Sequence, residues 1–308
     1  MKISVIGAGN VGSLTAMRLA QACLGDIILV DIAKGLALGK SLDLEDARWI
    51  LNSDYSIKGT EEICSIKGSD VVVITAGLAR KPGMTREDLL LKNSQILKEV
   101  SLNIKSLCPK AIVIVVTNPL DLMTYLVLKV TGFAKGKVLG MGVSLDAARF
   151  ANIIANELSV SVKEIEAVVI GSHGEAMLPL PRQTKVKGLT LNEFAGKDKI
   201  DLIVNKTVKR GAEIVAALGT GSAFFAPSAA ITQMVNAIVR DEKSVMGACA
   251  YLEGEYGIKD ICIGVPCRLG KNGIEEIIEL SLNSEEAGRF KESANSIGQL
   301  LKGLACMI

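Results

Sequence analysis

The sequence predicts an α/β protein, a doubly wound parallel sheet followed by a second half of α+β character. Three observations carry this. Short aliphatic runs alternate with helix-length segments through the first half. Those runs are continuously apolar rather than alternating, as strands covered on both faces must be. Beyond about residue 145 the helices lengthen and strand-like runs cluster together.

The elements follow in order. Residues 2–6 (KISVI) read as a strand, 11–23 carry helical spacing, 27–30 (IILV) form a second strand and 36–51 a second helix. Then come strand-like 71–75 (VVVIT), helical 86–107, strand-like 111–116 (AIVIVV) and helical 120–130. Parallel strands joined by helices require right-handed crossovers. In the second half, 144–157 are helical, 166–170 (EAVVI) strand-like, 198–218 a long helix ending at Gly219, and 227–241 another helix. Residues 247–280 hold three short runs broken by Gly254, Gly257, Gly270 and Asn272–Gly273, the signature of an antiparallel meander. A closing helix fits 284–304. The division into two domains falls at 1–143 and 144–308, and the absence of a flexible linker predicts a large shared interface.

Composition narrows the function. Of 308 residues, 49% are hydrophobic, enough for a sizeable core, while aromatics at 4% are too few for base-stacking platforms. The formal charge of +2 and the lack of dense Lys/Arg blocks argue against a nucleic-acid or membrane-surface partner. No apolar run reaches the ~18 residues of a membrane span. The opening MKISVIGAGN does not read as an export signal, so a cytoplasmic location is expected. Seven Cys with no C-x-x-C pair predict reduced, mostly buried thiols, and a lone His argues against a metal site.

Gly7-Ala8-Gly9-Asn10-Val11-Gly12 matches G-x-G-x-x-G, directly after a strand and at the opening of a helix. Gly7 permits the tight turn, Gly9 lets a pyrophosphate approach the backbone, and Gly12 lets helix and strand pack closely. The helix N-terminus offers free amides and a positive dipole end to phosphates. Asp31 ends the second strand nineteen residues beyond Gly12. A carboxylate there accepts hydrogen bonds from ribose hydroxyls and repels a 2′-phosphate, which predicts a Rossmann domain for NAD rather than NADP. The competing reading has Asp31 cap the helix that starts near Lys34.

Three polar clusters follow. The lone His173, in Gly171-Ser172-His173-Gly174-Glu175, comes just after a strand, which suits a cleft edge and proton exchange near neutral pH. Asp146 and Arg149, at i and i+3, are either a surface ion pair or a carboxylate and a guanidinium for a substrate acid. The segment Ala76-Gly77-Leu78-Ala79-Arg80-Lys81-Pro82-Gly83-Met84-Thr85-Arg86 follows a strand and is basic, as a loop over an anionic substrate would be. Thr117-Asn118-Pro119 closes the next strand, where Asn118 either binds a polar ligand group or caps a helix.

With GAGNVG (7–12), AGLARKPGMTR (76–86), TNPLD (117–121), LDAARF (145–150), GSHGEAMLP (171–179) and GSAFFAP (221–227) in this order, the chain resembles the lactate/malate dehydrogenase family over nearly its whole length, most closely its malate-acting branch. The resemblance implies an NAD-dependent enzyme that interconverts malate and oxaloacetate. In it His173 is the general acid/base, Asp146 its carboxylate partner, and Arg149 the ligand of the substrate C1 carboxylate. Arg86 polarises the reacting carbonyl and Asn118 binds substrate and nicotinamide. Arg80 stands where lactate dehydrogenases usually carry Gln, so it pairs the distal carboxylate. Thr75, Ala76, Gly77, Asn93, Thr117 and Asn118 join Gly7, Gly9, Asn10, Val11, Gly12 and Asp31 as cofactor-binding residues. A homodimer or homotetramer is implied as well. Glu175 departs from the Asp usual after the His-Gly pair, and GMGVSL before Asp146 departs from the usual small-residue run. The alternatives are a dehydrogenase of lactate or another 2-hydroxy acid, and a non-catalytic NAD-binding sensor.

Overall fold

The aliphatic runs of the first half become the centre of a parallel sheet because nothing in them tolerates water. The structure is a computed structural model that describes residues 1–78 and 86–304, with the side chains of Arg86, Glu87 and Leu304 outside that description. The chain runs β1 (Lys2–Ile6), α1 (Asn10–Gln21), β2 (Asp26–Val30), α2 (Leu36–Leu51), β3 (Ile57–Thr60), β4 (Val71–Ile74), α3 (Arg86–Leu107), β5 (Ile112–Val115), α4 (Leu120–Thr131) and β6 (Val138–Gly140). All four residues of β4 and of β5 are buried, as continuous apolar strands between two helical layers must be. The order β3-β2-β1-β4-β5-β6 is parallel throughout and reverses direction at β1/β4. In open sheets of this kind a ligand crevice forms outside the carboxyl ends of the strands, at that reversal.

The second half contains α5 (Val143–Leu158), β7 (Ile165–Glu166), β8 (Val169–Gly171), β9 (Met177–Pro179), β10 (Lys185–Val186), β11 (Leu189–Thr190), α6 (Leu191–Phe194), α7 (Lys197–Leu218), α8 (Phe225–Val239), β12 (Ser244–Glu253), β13 (Lys259–Gly270), β14 (Gly273–Ile277) and α9 (Ser284–Leu304). The three runs between 247 and 280 form the expected antiparallel meander, β12-β13-β14. It does not stand apart. Strand β12 pairs with β6 through Cys249 and Gly140, so the parallel sheet continues into β12-β13-β8-β9. A second core lies under α5 and α7, where Phe150, Ile153, Ile154 and Ile203 pack on Val169 and Met177.

One expected element divides. The run 166–170 is two strands, with β7 in a separate three-stranded sheet and β8 in the main one. The chain changes sheets at Val168, whose amide donates to Thr184 Oγ1 at 3.0 Å and whose carbonyl accepts from Leu180. Strands β3 and β6 escaped the sequence reading because four- and three-residue runs carry too little periodicity. No helix among the described residues is long and apolar enough to cross a membrane.

Candidate active site

The first part of the site is the turn after β1. Gly7 has a φ of +105°, and its amide donates to Val30 O at 2.7 Å, which ties the turn to the end of β2. A Cβ at Gly12 would lie 1.8 Å from Gly7 O, so only glycine lets α1 come this close to the strand. Above Gly9 there is open space, and Gly9 and Asn10 are exposed. The turn therefore presents the leading amides of α1, at Asn10, Val11 and Gly12, which as first-turn donors have no intrahelical acceptor. Asp31 is half-buried at the end of β2 and accepts from the amides of Ala8 at 2.6 Å and Ala33 at 2.9 Å. It does not cap α2, which starts at Leu36 behind Gly35. Open space over a glycine, unpartnered amides at a helix start and a strand-end carboxylate fit a pyrophosphate with its ribose.

The second part frames the cleft floor. Thr75 Oγ1 donates to Gly7 O at 3.0 Å, and Thr117 Oγ1 donates to Ala76 O at 2.6 Å. Gly77 packs so closely on Thr117 that a Cβ would come within 2.5 Å of its methyl carbon. Asn93 is buried on α3; its Oδ1 accepts from Leu78 N at 2.8 Å and its Nδ2 donates to Asn118 O at 2.7 Å. The side chains of Thr75, Asn93 and Thr117 are thus engaged with backbone, and they lock the ends of β4 and β5 together. Asn118 is exposed beside them, and Pro119 rather than Asn118 is the N-cap of α4.

The third part is a buried charge cluster. Asp146, in the first turn of α5, is fully buried. Its Oδ2 lies 2.8 Å from His173 Nδ1, and its Oδ1 accepts from Arg149 Nη1 at 3.2 Å. This is no surface ion pair, because the side chains of His173 and Arg149 are only 14% and 12% exposed. Arg149 Nε is buried and has no hydrogen-bond partner among the described residues. With Nδ1 held by Asp146, His173 keeps Nε2 for proton exchange. Burial pushes the His173 pKa down, but the charge and hydrogen bond of Asp146 and the charge of Asp121 outweigh burial and the opposing Arg149 charge, so it is raised.

Several residues that hold this cluster carried no role in the sequence reading. Asp121, in the first turn of α4, accepts from the Ser172 hydroxyl at 2.7 Å and the His173 amide at 3.0 Å. Ser293 on α9 accepts from the Ser172 amide at 2.9 Å. A Cβ at Gly142 would sit 3.0 Å from His173 Cβ, so the glycine before α5 makes room for the imidazole. The only signal for Asp121 and Ser172 was their place inside the TNPLD and GSHGEAMLP motifs. Ser293 had none, since it is 121 residues from its partner. Arg80 lies outside the described residues, and Arg86 opens α3 with its side chain outside them. Among the described residues, no three potential metal ligands converge.

Residues 1–140 match the family model of the lactate/malate dehydrogenase NAD-binding domain, and 143–306 match that of the lactate/malate dehydrogenase α/β C-terminal domain. A malate dehydrogenase of Methanosarcina mazei is 52% identical over 297 residues, 96% of this chain and 97% of the relative. The crystal structure of Cryptosporidium parvum malate dehydrogenase superposes with a TM-score of 0.96 at 41% identity, covering 99% of each chain. The lactate dehydrogenase of the same organism, solved with lactic acid and nicotinamide adenine dinucleotide, superposes with a TM-score of 0.95 at 39% identity, covering 99% of this chain and 98% of that one.

Proposed function

The chain belongs to the lactate/malate dehydrogenase family, and on that premise we propose that it interconverts malate and oxaloacetate with NAD(H) as cofactor. The observation that carries the reading is the buried Asp146, which holds His173 on one oxygen and Arg149 on the other. A proton-exchanging imidazole thereby stands beside a guanidinium, the pair that reduction of a 2-oxo acid requires.

The Gly7–Gly12 turn and Asp31 would hold NAD(H), which would supply or take up the hydride. Arg149 grips the C1 carboxylate and fixes the substrate against rotation. Protonated His173 gives its proton from Nε2 to the carbonyl oxygen as that oxygen becomes a hydroxyl, and neutral His173 takes the proton back when malate is oxidised. Asp146 fixes the tautomer and steadies the imidazolium. Arg86 polarises the carbonyl, and Asn118, exposed at the end of β5, binds substrate and nicotinamide amide groups. Thr75, Ala76, Gly77, Asn93 and Thr117 shape the cofactor floor through the backbone they lock together.

Arg80 selects the substrate. Its guanidinium pairs the distal carboxylate of oxaloacetate, and pyruvate would leave it unpaired at a cost of about 3–5 kcal/mol in a closed site. A lactate-type substrate is the second reading, favoured by the similarity to the Cryptosporidium lactate dehydrogenase. Steady-state NADH oxidation with oxaloacetate and pyruvate side by side separates the two. A kcat/KM ratio strongly favouring oxaloacetate, lost in Arg80→Gln, supports the malate reading; a preference for pyruvate overturns it.

The protein works as a homodimer or homotetramer in the cytoplasm. Leu38, Leu42 and Trp49 share one face of α2 and are 51%, 51% and 90% exposed in the single chain. Phe225, 65% exposed at the start of α8, borders the same groove as Asn10, Leu14 and Leu44. Exposed apolar side chains on α2 and at the start of α8 are the surface we assign to contact with a second copy of the chain.

A further inference from the structure

We infer that Asp121 is a second carboxylate of the acid/base apparatus, a positioning residue that clamps the Ser172–His173 backbone and supplies the negative charge that balances the imidazolium. The inference rests on His173 being the acid/base of the proposed reaction.

Geometry comes first. Asp121 is 5% exposed and has no cation partner among the described residues. Its Oδ2 accepts both the Ser172 hydroxyl and the His173 amide. Two donors converging on one oxygen suit an anionic carboxylate. Together with Ser293, which holds the Ser172 amide from α9, it anchors the corner that carries the imidazole from two directions.

Charge comes second. Among the described residues, the charged groups acting on His173 are Asp146 and Arg149 from α5 and Asp121 from α4, and the buried thiol of Cys249 on β12, beside Cys262 on β13, lies against Asp121. Burial pushes the Cys249 thiol well up, aided by Cys262 and Asp121, so it adds no charge. Asp146 divides its charge between His173 and Arg149. Two carboxylates against Arg149 and a protonated His173 sum to zero. Without Asp121 the protonated cluster would carry a buried net positive charge, a strongly unfavourable state. Burial also pushes the Asp121 carboxyl up, opposed by the Ser172 hydroxyl, the Cys249 thiol and His173. The net shift of the Asp121 carboxyl is upward, and the charges of Asp121 and His173 link the two titrations.

The test uses the fact that the chain has a single His. In full-length protein labelled with ¹³C- and ¹⁵N-histidine, the imidazole signal reports His173 alone and needs no turnover. Asp121→Asn keeps an acceptor for Ser172 and the His173 amide but removes the charge. Its His173 midpoint is expected to fall by roughly one pH unit relative to the parent chain, with NADH binding retained. The alkaline limb of the oxaloacetate-reduction profile should move down with it. Asp121→Ser, smaller and also neutral, gives the same reading if the Asn chain does not fold. An unmoved imidazole titration in a folded variant overturns the inference. Absence of oxaloacetate turnover in the parent chain would instead overturn the proposed function and leave the titration result standing.

Discussion

A lone histidine says little by itself, because most are structural; what gives His173 its role is the carboxylate 2.8 Å from Nδ1. His173→Gln should lower kcat about 10³-fold while leaving NADH binding intact, as fluorescence titration of the bound cofactor would check. Equal loss of binding would place His173 in the cofactor site rather than the chemistry. Arg149→Lys keeps the charge but loses the fork. It should raise the KM for oxaloacetate at least tenfold with a smaller effect on kcat, read from steady-state kinetics. At this scale the sequence was legible where a residue type is scarce or its spacing regular: one His, an Asp–Arg pair at i,i+3, a glycine triplet. It was silent about burial. Whether Asp146 and Arg149 formed a surface pair or a site depended on packing that only the fold decides, and Asp121 and Ser293 reach the site through contacts 52 and 121 residues distant in sequence.

At the scale of elements, the strand ends do the positioning. The carboxyl ends of β1, β2, β4 and β5 bring Gly7, Asp31, Thr75 and Thr117 into one cleft, and β8 delivers His173 from the antiparallel side of the same sheet. The aliphatic strands and long helices were legible because burial on both faces and 3.6-residue spacing each leave a periodic trace. The split of 166–170 was not, since a Val amide satisfied by Thr184 leaves no mark on apolar pattern. Asp31 closes β2 with both oxygens accepting from backbone amides, and the proposal gives it the cofactor ribose. Asp31→Ser removes the charge that repels a 2′-phosphate. The kcat/KM ratio of NADH over NADPH should fall by one to two orders of magnitude; an unchanged ratio would assign Asp31 to the turn alone.

For the whole molecule, one sheet runs from β3 through β12 to β9, so the cofactor turn and the charge cluster belong to a continuous scaffold. That continuity was invisible in sequence, where the two halves differ in pattern and no linker is seen between them. The apolar face of α2 is the remaining large feature. If Leu38 and Leu42 line the proposed contact between copies, replacing them by Glu should dissociate it, because fully burying such a side chain is worth about 1.5–3 kcal/mol and a buried carboxylate costs more. Sedimentation velocity should show a smaller species, and the fluorescence of the single tryptophan, Trp49, should shift to the red as it meets water. An unchanged sedimentation coefficient would move the contact to another face.

The central claim is that His173 carries the proton in both directions of one reaction. Asp146 and Asp121 raise its pKa against burial, so the protonated form persists to higher pH than for an ordinary histidine. Reduction needs that form and must be lost as pH rises through the raised pKa; oxidation needs the neutral form and must be lost as pH falls through it. The most direct measurement is kcat/KM for oxaloacetate reduction and malate oxidation across the same pH range on the same preparation. Two mirrored curves that cross at a shared midpoint above that of free histidine are expected. Curves that fall on the same side, or a midpoint that survives in His173→Gln, would contradict the account.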